Sequence, residues 1–195
     1  MNYWTCLINP KTMRLTLLFS LIFPICALAA DFGVANWGMT SAEVKQLENR
    51  VNLTPFGADS YLIFSVNLPN IDIARIVYQF DQDRLTEGRF IFRTENPFDV
   101  SRAVAQYQQI KSMITNQYGP PNADQILTPA SQDKSLGNRD IANDLASDRA
   151  ILKSNWRSPN AIINHQLAWN ENQPHHQLHY IPLETMPSAP DASAF

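Results

Sequence analysis

Histidine is the residue type best placed to do chemistry in this 195-residue chain. His175, His176 and His179 crowd one strand-like run, and His165 stands on the run before it. Imidazole ligates zinc or copper, and strand residues four apart share a face, so His175 and His179 form a candidate metal pair. Register decides whether His165 joins them. A four-residue loop at Glu171–Pro174 pairs His165 with Tyr180 and turns Ile163, Leu167, Trp169, Leu178 and Tyr180 inward. His175 and His179 then point outward beside Gln166, without His165. A slip of one residue aligns His165 with His179 but turns Leu178 and Tyr180 to solvent. The apolar count favours the first register, which leaves two ligands where a structural site wants four. The expectation is an exposed strand with scattered histidines and no metal; ligation by His175 and His179 is the alternative.

Other constellations are weaker. No serine sits in Gly-x-Ser-x-Gly or a comparable strained elbow, so no nucleophilic triad is expected. Asp81 and Asp83 imitate a paired-carboxylate site, but they fall in a short break between strands, where Asp serves the turn. The six glycines form neither a phosphate loop nor a dinucleotide fingerprint, so no cofactor is expected. Arg75, Arg89 and Arg93 are more informative. They alternate with apolar neighbours so that all three point one way, with Gln79 and Glu87 beside them and Val77 and Ile91 between. A planar guanidinium pairs carboxylates bidentately, and arginine among apolar residues suits a partner interface. A solvated face with exposed ion pairs, each worth under ~1 kcal/mol, is the plainer alternative.

Positioning those arginines requires a sheet. Ile73–Phe80 alternates, with Ala74, Ile76, Tyr78 and Phe80 on one face; Thr86–Arg93 alternates likewise, setting Phe90 and Phe92 against the charged side. Ser60–Asn67 is a third strand, and short breaks at 68–70 and 81–83 suit hairpins. A helix precedes them at Thr40-Ser41-Ala42-Glu43, a capping box, with Val44 and Leu47 as its apolar face and Trp37 as a hydrophobic staple. A longer helix runs from a cap at Asn96-Pro97 to a stop at Tyr118-Gly119-Pro120-Pro121. Val100, Val104, Tyr107, Ile110, Ile114 and Tyr118 form its apolar stripe. Residues 122–139 read as a surface loop, 140–149 as a short helix on Ile141 and Leu145, and 151–157, 161–170 and 175–183 as strands. The tail from Glu184 is expected to be disordered.

The order helix, three strands, helix, three strands predicts an α+β fold of tandem helix-plus-three-strand units. In it, one antiparallel sheet carries the helices on one face, with halves at about 34–93 and 96–183.

The N-terminus reads as an address. Lys11 and Arg14 precede an uncharged apolar block at 15–28, and Ala27-Leu28-Ala29 places small residues where a signal peptidase cuts. The block is shorter than the roughly 20 residues that span a bilayer. The expectation is a signal peptide cleaved after Ala29, starting at Met1 or Met13, and a periplasmic or secreted domain with no membrane span. Both cysteines, Cys6 and Cys26, lie in that segment, which excludes disulfides, a thiolate nucleophile and Cys-based zinc from the remainder. Full-chain figures of 45% apolar residues and a net charge of −3 then sharpen: residues 30–195 hold 13 basic against 18 acidic side chains, a net charge of −5. An acidic chain of this composition is neither disordered nor a general nucleic-acid binder.

Trp37-Gly38-Met39-Thr40-x-x-Glu43-Val44, three strands, and a helix ending Tyr118-Gly119-x-Pro121 resemble the β-lactamase-inhibitor-protein-like superfamily. That superfamily includes small outer-membrane-assembly lipoproteins, and the similarity is greatest to secreted domains beginning WGM[ST]xxEV. The resemblance covers about residues 34–183. It implies a tandem helix-plus-sheet fold whose open sheet face or loops bind another protein. Together with the arginine-bearing face and the export signal, the expectation is a non-enzymatic module of the bacterial cell envelope that binds a protein partner through Arg75, Arg89, Arg93 and Ile91. Two departures stand out: Glu48-Asn49-Arg50-Val51 replaces the usual Gly-x-Pro after the first helix, and the lipid-modified cysteine is missing. A small-ligand or metal-binding protein using His175 and His179 is the alternative. A hydrolase assembled from distant residues is a third, requiring a deep pocket with a perturbed acid or histidine.

Overall fold

The computed structural model describes residues 30–128, 140–170 and 173–183. The expected signal peptide, part of the expected loop and the C-terminal tail lie outside the described residues.

Helix α1, Ser41–Leu47, is too short to stand alone and is held by its ends. Thr40 and Glu43 form the expected capping box, Glu43 accepting the Thr40 N–H at 2.8 Å. The Asp83 carboxylate accepts the Ser41 N–H at 3.0 Å, which gives this turn residue a structural role. Val44 is buried as expected, but Leu47 is 49% exposed because the helix stops there. The residues in the place of Gly-x-Pro have their own chemistry. Glu48 is buried, accepts the Tyr78 hydroxyl at 2.9 Å and pairs with Arg50 at 3.2 Å. Burial, then the Glu48 carboxylate, raises the Tyr78 phenol well above its usual range. Trp37 packs against the core that holds Val44. It stacks on Phe32, ring centroids 6.1 Å apart, while Met39 directly precedes the cap and joins Val44 in the core.

Strands β1 (Tyr61–Val66), β2 (Ile73–Asp81) and β3 (Arg84–Arg93) form the first meander. Gln82 and Asp83 both have positive φ in the two-residue turn between β2 and β3, a conformation Asp tolerates. Helix α2 spans Val100–Tyr118. Its N-cap is Asp99, whose carboxylate accepts the Arg102 N–H at 2.9 Å, and not Asn96; the Asn96 side chain is spent on the Phe98 N–H one turn earlier. Arg102 reaches the Asp72 carboxylate of the β1–β2 connection, Nε to Oδ1 at 3.2 Å. Gly119, at φ 85°, ends the helix as expected.

The second half differs from expectation in one element. Residues Ala123–Leu127 form strand β4 inside the stretch read as loop. Their polar, non-alternating character hides a strand because an edge strand needs backbone pairing on one side only; β4 pairs with β5 from Ala123↔Asn155 to Leu127↔Ile151. Helix α3 (Ile141–Ala146), capped by Asp140, precedes β5 (Ile151–Arg157), β6 (Ala161–Asn170) and β7 (Gln173–Pro182). The seven strands make one antiparallel sheet in the order β1-β2-β3-β7-β6-β5-β4. One meander from each half therefore meets at the β3–β7 pair. The β6–β7 register is two residues from that expected: His165 faces Leu178, and pairing runs to Asn170↔Gln173. A shift of two preserves every inward and outward assignment.

The larger core joins Val44, the inward faces of β1–β3 and Ile110 and Ile114 of α2 to Trp156, Ile163, Leu178 and Tyr180. A smaller one joins Tyr107 and Leu145 to Leu152, Leu167 and Trp169. The helices thus lie on one face, as the α+β reading requires. Among the described residues no helix is long and apolar enough to cross a membrane.

Phe32 organises the larger core, its ring within 5.1–5.3 Å of Tyr78, Phe90 and Tyr180. It lies directly on Gly88 of β3, where a β-carbon would collide with the ring. Gly88→Ala is expected to cost about 1–3 kcal/mol, the range for overpacking, read as a lower urea midpoint at unchanged slope.

Candidate functional site

Alternation on seven strands leaves a second face that, among the described residues, no helix covers. Backbone register sets its side chains in rows across the sheet, neighbours about 4.5–5.5 Å apart. One row runs Ser65, Arg75, Ile91, Gln177, Gln166, Lys153 and Gln125; the next runs Ile63, Val77, Arg89, His179, Asn164, Asn155 and Ala123. Arg93 lies opposite Ile73 beyond the first. The four residues expected to form the partner site, Arg75, Arg89, Arg93 and Ile91, are therefore brought together on one face.

They are not equivalent. Arg89 holds Glu87 at 2.8 Å, and His179 approaches the same carboxylate oxygen at 3.0 Å. Burial raises the Glu87 carboxyl, but these two partners outweigh it and hold the group below its ordinary range. Burial and the Arg89 charge lower the His179 imidazole. Among the described residues, Arg75 and Arg93 have no ion-pair partner. In a chain of net negative charge the outward strand positions carry Arg75, Arg89, Arg93, Lys153 and Arg157 against Glu87, with Asp81 at the β2–β3 tip.

The β1 side of this face is more apolar than sequence reasoning anticipated. Asn52 bridges Phe64, with Leu53 N–H to Ile63 O at 2.8 Å and Ser65 N–H to Val51 O at 2.9 Å. Alternation then turns Val51 and Leu53 toward the open face beside Ile63, and both are exposed. Phe56, between Pro55 and Gly57, is fully exposed. That triplet was the missed signal: an aromatic between two turn residues has little chance of burial. Nearer the sheet centre a hollow of about 680 Å³ is lined by Ile73, Ile91, Arg93, Ala168, His175 and Gln177, among others.

The histidines divide by parity. His175 and His179 point outward as expected, but four residues of strand separate them by about 13 Å, too far for one ion, and the His179 Nε2 is engaged by Glu87. Among the described residues no three His, Cys, Asp or Glu side chains gather to hold a metal. The other two turn inward, a pairing that sequence reasoning missed because the expected register set His176 opposite Trp169, well along the strand from His165, whereas the observed one sets it opposite Leu167. His165 and His176 are 1% and 3% exposed, their Nε2 atoms 2.8 Å apart. One ring donates and the other accepts. Tyr107 of α2 stacks on His165 at 4.1 Å and 10°, and His165 Nδ1 is buried without a hydrogen-bond partner.

A polar chain continues beneath α2. Asp124 only accepts, so Ser154 donates to it and Tyr107 donates to Ser154, each at 2.7 Å; Lys111 closes on Asp124 at 2.7 Å. Burial raises the Asp124 carboxyl, but Lys111 and Ser154 outweigh it and hold the group below its usual range. Burial also pushes the Tyr107 phenol up to about 12. Although Ser154 faces His165 across the strands, its hydroxyl is committed to Tyr107 and Asp124, and the His165 Nε2 to His176. The arrangement fastens α2 to β4 and β5. No family model, curated protein or solved structure matches the chain.

Burial pushes the His176 imidazole down to about 3 and, with the neighbouring charges of His176 and Lys111, lowers His165 well below its ordinary value. The unfolded chain takes up those protons near pH 6.5, whereas the native state resists them. Stability therefore falls as pH drops below about 6.5, by as much as ~1.4 kcal/mol per pH unit for each histidine. Urea midpoints measured from pH 7 to pH 4.5 should fall, and a His165→Leu/His176→Leu variant should show a flatter slope whatever its absolute stability. An unchanged slope would remove the pair as its source.

Proposed function

We propose that this chain is an exported, non-enzymatic protein-binding module of the bacterial cell envelope, and that it engages its partner with the β1–β3 part of the open sheet face. The observation that carries the reading is the composition of that surface. Among the described residues Arg75 and Arg93 have no ion-pair partner, and they stand beside exposed Val51, Leu53 and Ile73, with Ile91 opposite Arg75 and Phe56 at the margin. Interfaces are enriched in arginine and aromatic residues around an apolar centre, and unpaired guanidinium groups on rigid strands are ready to meet carboxylates. Arg89 is a positioning group, because Glu87 already holds it. The resemblance to the β-lactamase-inhibitor-protein-like superfamily supports the same use of the face. The charge, apolar block and small-residue pattern of residues 1–29 support export to the periplasm or beyond.

Affinity capture from envelope extracts tests the assignment. An Arg75→Glu/Arg93→Glu variant should lose proteins that the unaltered chain retains, with at least a tenfold drop in recovery, since each like-charge juxtaposition at an interface costs on the order of kcal/mol. Identical capture profiles would sink the assignment to this face.

A further inference from the structure

The half of the open face formed by β4–β7 has a different chemistry from the arginine half. Gln125, Lys153, Asn155, Asn164, Gln166 and Gln177 converge on a hollow of about 310 Å³, at the lower end of the range for small-ligand sites. Among the described residues none of these six side chains has a hydrogen-bond or ion-pair partner. Five carboxamides and one ammonium on rigid strands thus present their full donor and acceptor capacity outward. Among the described residues no carboxylate lines the hollow and Ala123 is the single apolar residue there; Ser154, His165 and His179 complete the lining.

We infer that this hollow is a second site, for an acidic saccharide. Each carboxamide both donates and accepts, which matches sugar hydroxyls, groups with the same reciprocal capacity. Lys153 supplies a charge-assisted bond for a sugar carboxylate; the nearest carboxylate behind the lining, Glu87 beyond His179, is itself held by Arg89 at 2.8 Å. Main-chain groups of β5, β6 and β7 are spent on the sheet ladder and the unpaired side of β4 faces away from the hollow along the sheet edge, so recognition in the hollow falls to side chains. An extended peptide is the poorer fit, because its apolar side chains find no pocket. A neutral saccharide is also poorer, because it leaves the Lys153 ammonium without a counter-charge, and among the described residues the lining has no Trp, Tyr or Phe ring as a stacking platform. The row Gln177, Gln166, Lys153 and Gln125 crosses four strands at steps of about 4.8 Å, close to the length of one pyranose ring. A saccharide lying along it meets a fresh polar side chain at each unit.

Calorimetric titration of the protein with a tetramer of galacturonic acid tests the site. Binding that weakens with added salt is expected. Lys153→Met should weaken it about tenfold or more, the worth of one charge-assisted hydrogen bond, and Gln166→Leu should weaken it several-fold; all six side chains are solvent-facing, so folding is preserved. A neutral glucose tetramer should bind at least about tenfold more weakly. Absence of binding, indifference to Lys153→Met, or equal affinity for tetraglutamate would each overturn the inference. Arg75→Glu/Arg93→Glu should leave the titration unchanged, and Lys153→Met should leave protein capture unchanged, so the two assignments fail separately.

Discussion

The pairing of β3 with β7 is the contact on which the other features depend. It joins two meanders that are each antiparallel within themselves, and its register sets Phe90 opposite Leu178 and Arg89 opposite His179. A slip of one residue would turn Leu178 and Tyr180 to solvent and bury His179 beneath the helices, at a cost no local gain offsets. Because Phe32 lies over Gly88 and against Phe90 and Tyr180, the aromatic core locks that register from the inside. The Glu87 carboxylate, shared by Arg89 on its own strand and His179 on the next, marks it from the outside.

The two halves solve burial differently. Under the β1–β3 half the interior is aromatic and aliphatic, and its one buried carboxylate, Glu48, is answered by Tyr78 and Arg50. Under the β4–β7 half the interior is partly polar: a histidine pair, a tyrosine, a serine and an aspartate, linked by hydrogen bonds and ring stacking. Buried polar groups on this scale are tolerable only when partnered. Here the partners come from five different elements, with His165 Nδ1 alone of this network left unpartnered among the described residues, so the bonds that form also fix where α2 sits over the sheet. The same division appears on the open side, where arginines among apolar residues give way across β7 to free carboxamides.

Much of this was legible in residue patterns. The alternation in 73–80 and 86–93 set the arginines on one face because a strand has period two, whatever it pairs with. The capping box at Thr40 and Glu43 and the Gly119 stop held because they are local hydrogen-bond and φ requirements. What was not legible came from partners distant in sequence. Strand β4 carries no hydrophobic alternation and exists because β5 offers it a ladder. The cap of α2 moved to Asp99 because Asn96 was already engaged one turn earlier. The β6–β7 register shifted by two because the strands continue pairing up to Asn170↔Gln173, and turn length is a weaker constraint than face.

By itself the amino-acid order determined the fold class, the side of the sheet to which each strand residue belongs, and the acidic, cysteine-poor character of residues 30–195. Those are consequences of period and composition. Only the tertiary structure decided which side chains meet. It separated His175 from His179 by the rise of a strand, and it brought His165 and His176 within 2.8 Å through cross-strand register. Among the described residues it left Arg75 and Arg93 without ion-pair partners while Glu87 took Arg89, and it gathered six unpartnered polar side chains from four strands around one hollow. Parity is a property of the chain, whereas distance between residues far apart along it is a property of the sheet that pairs them.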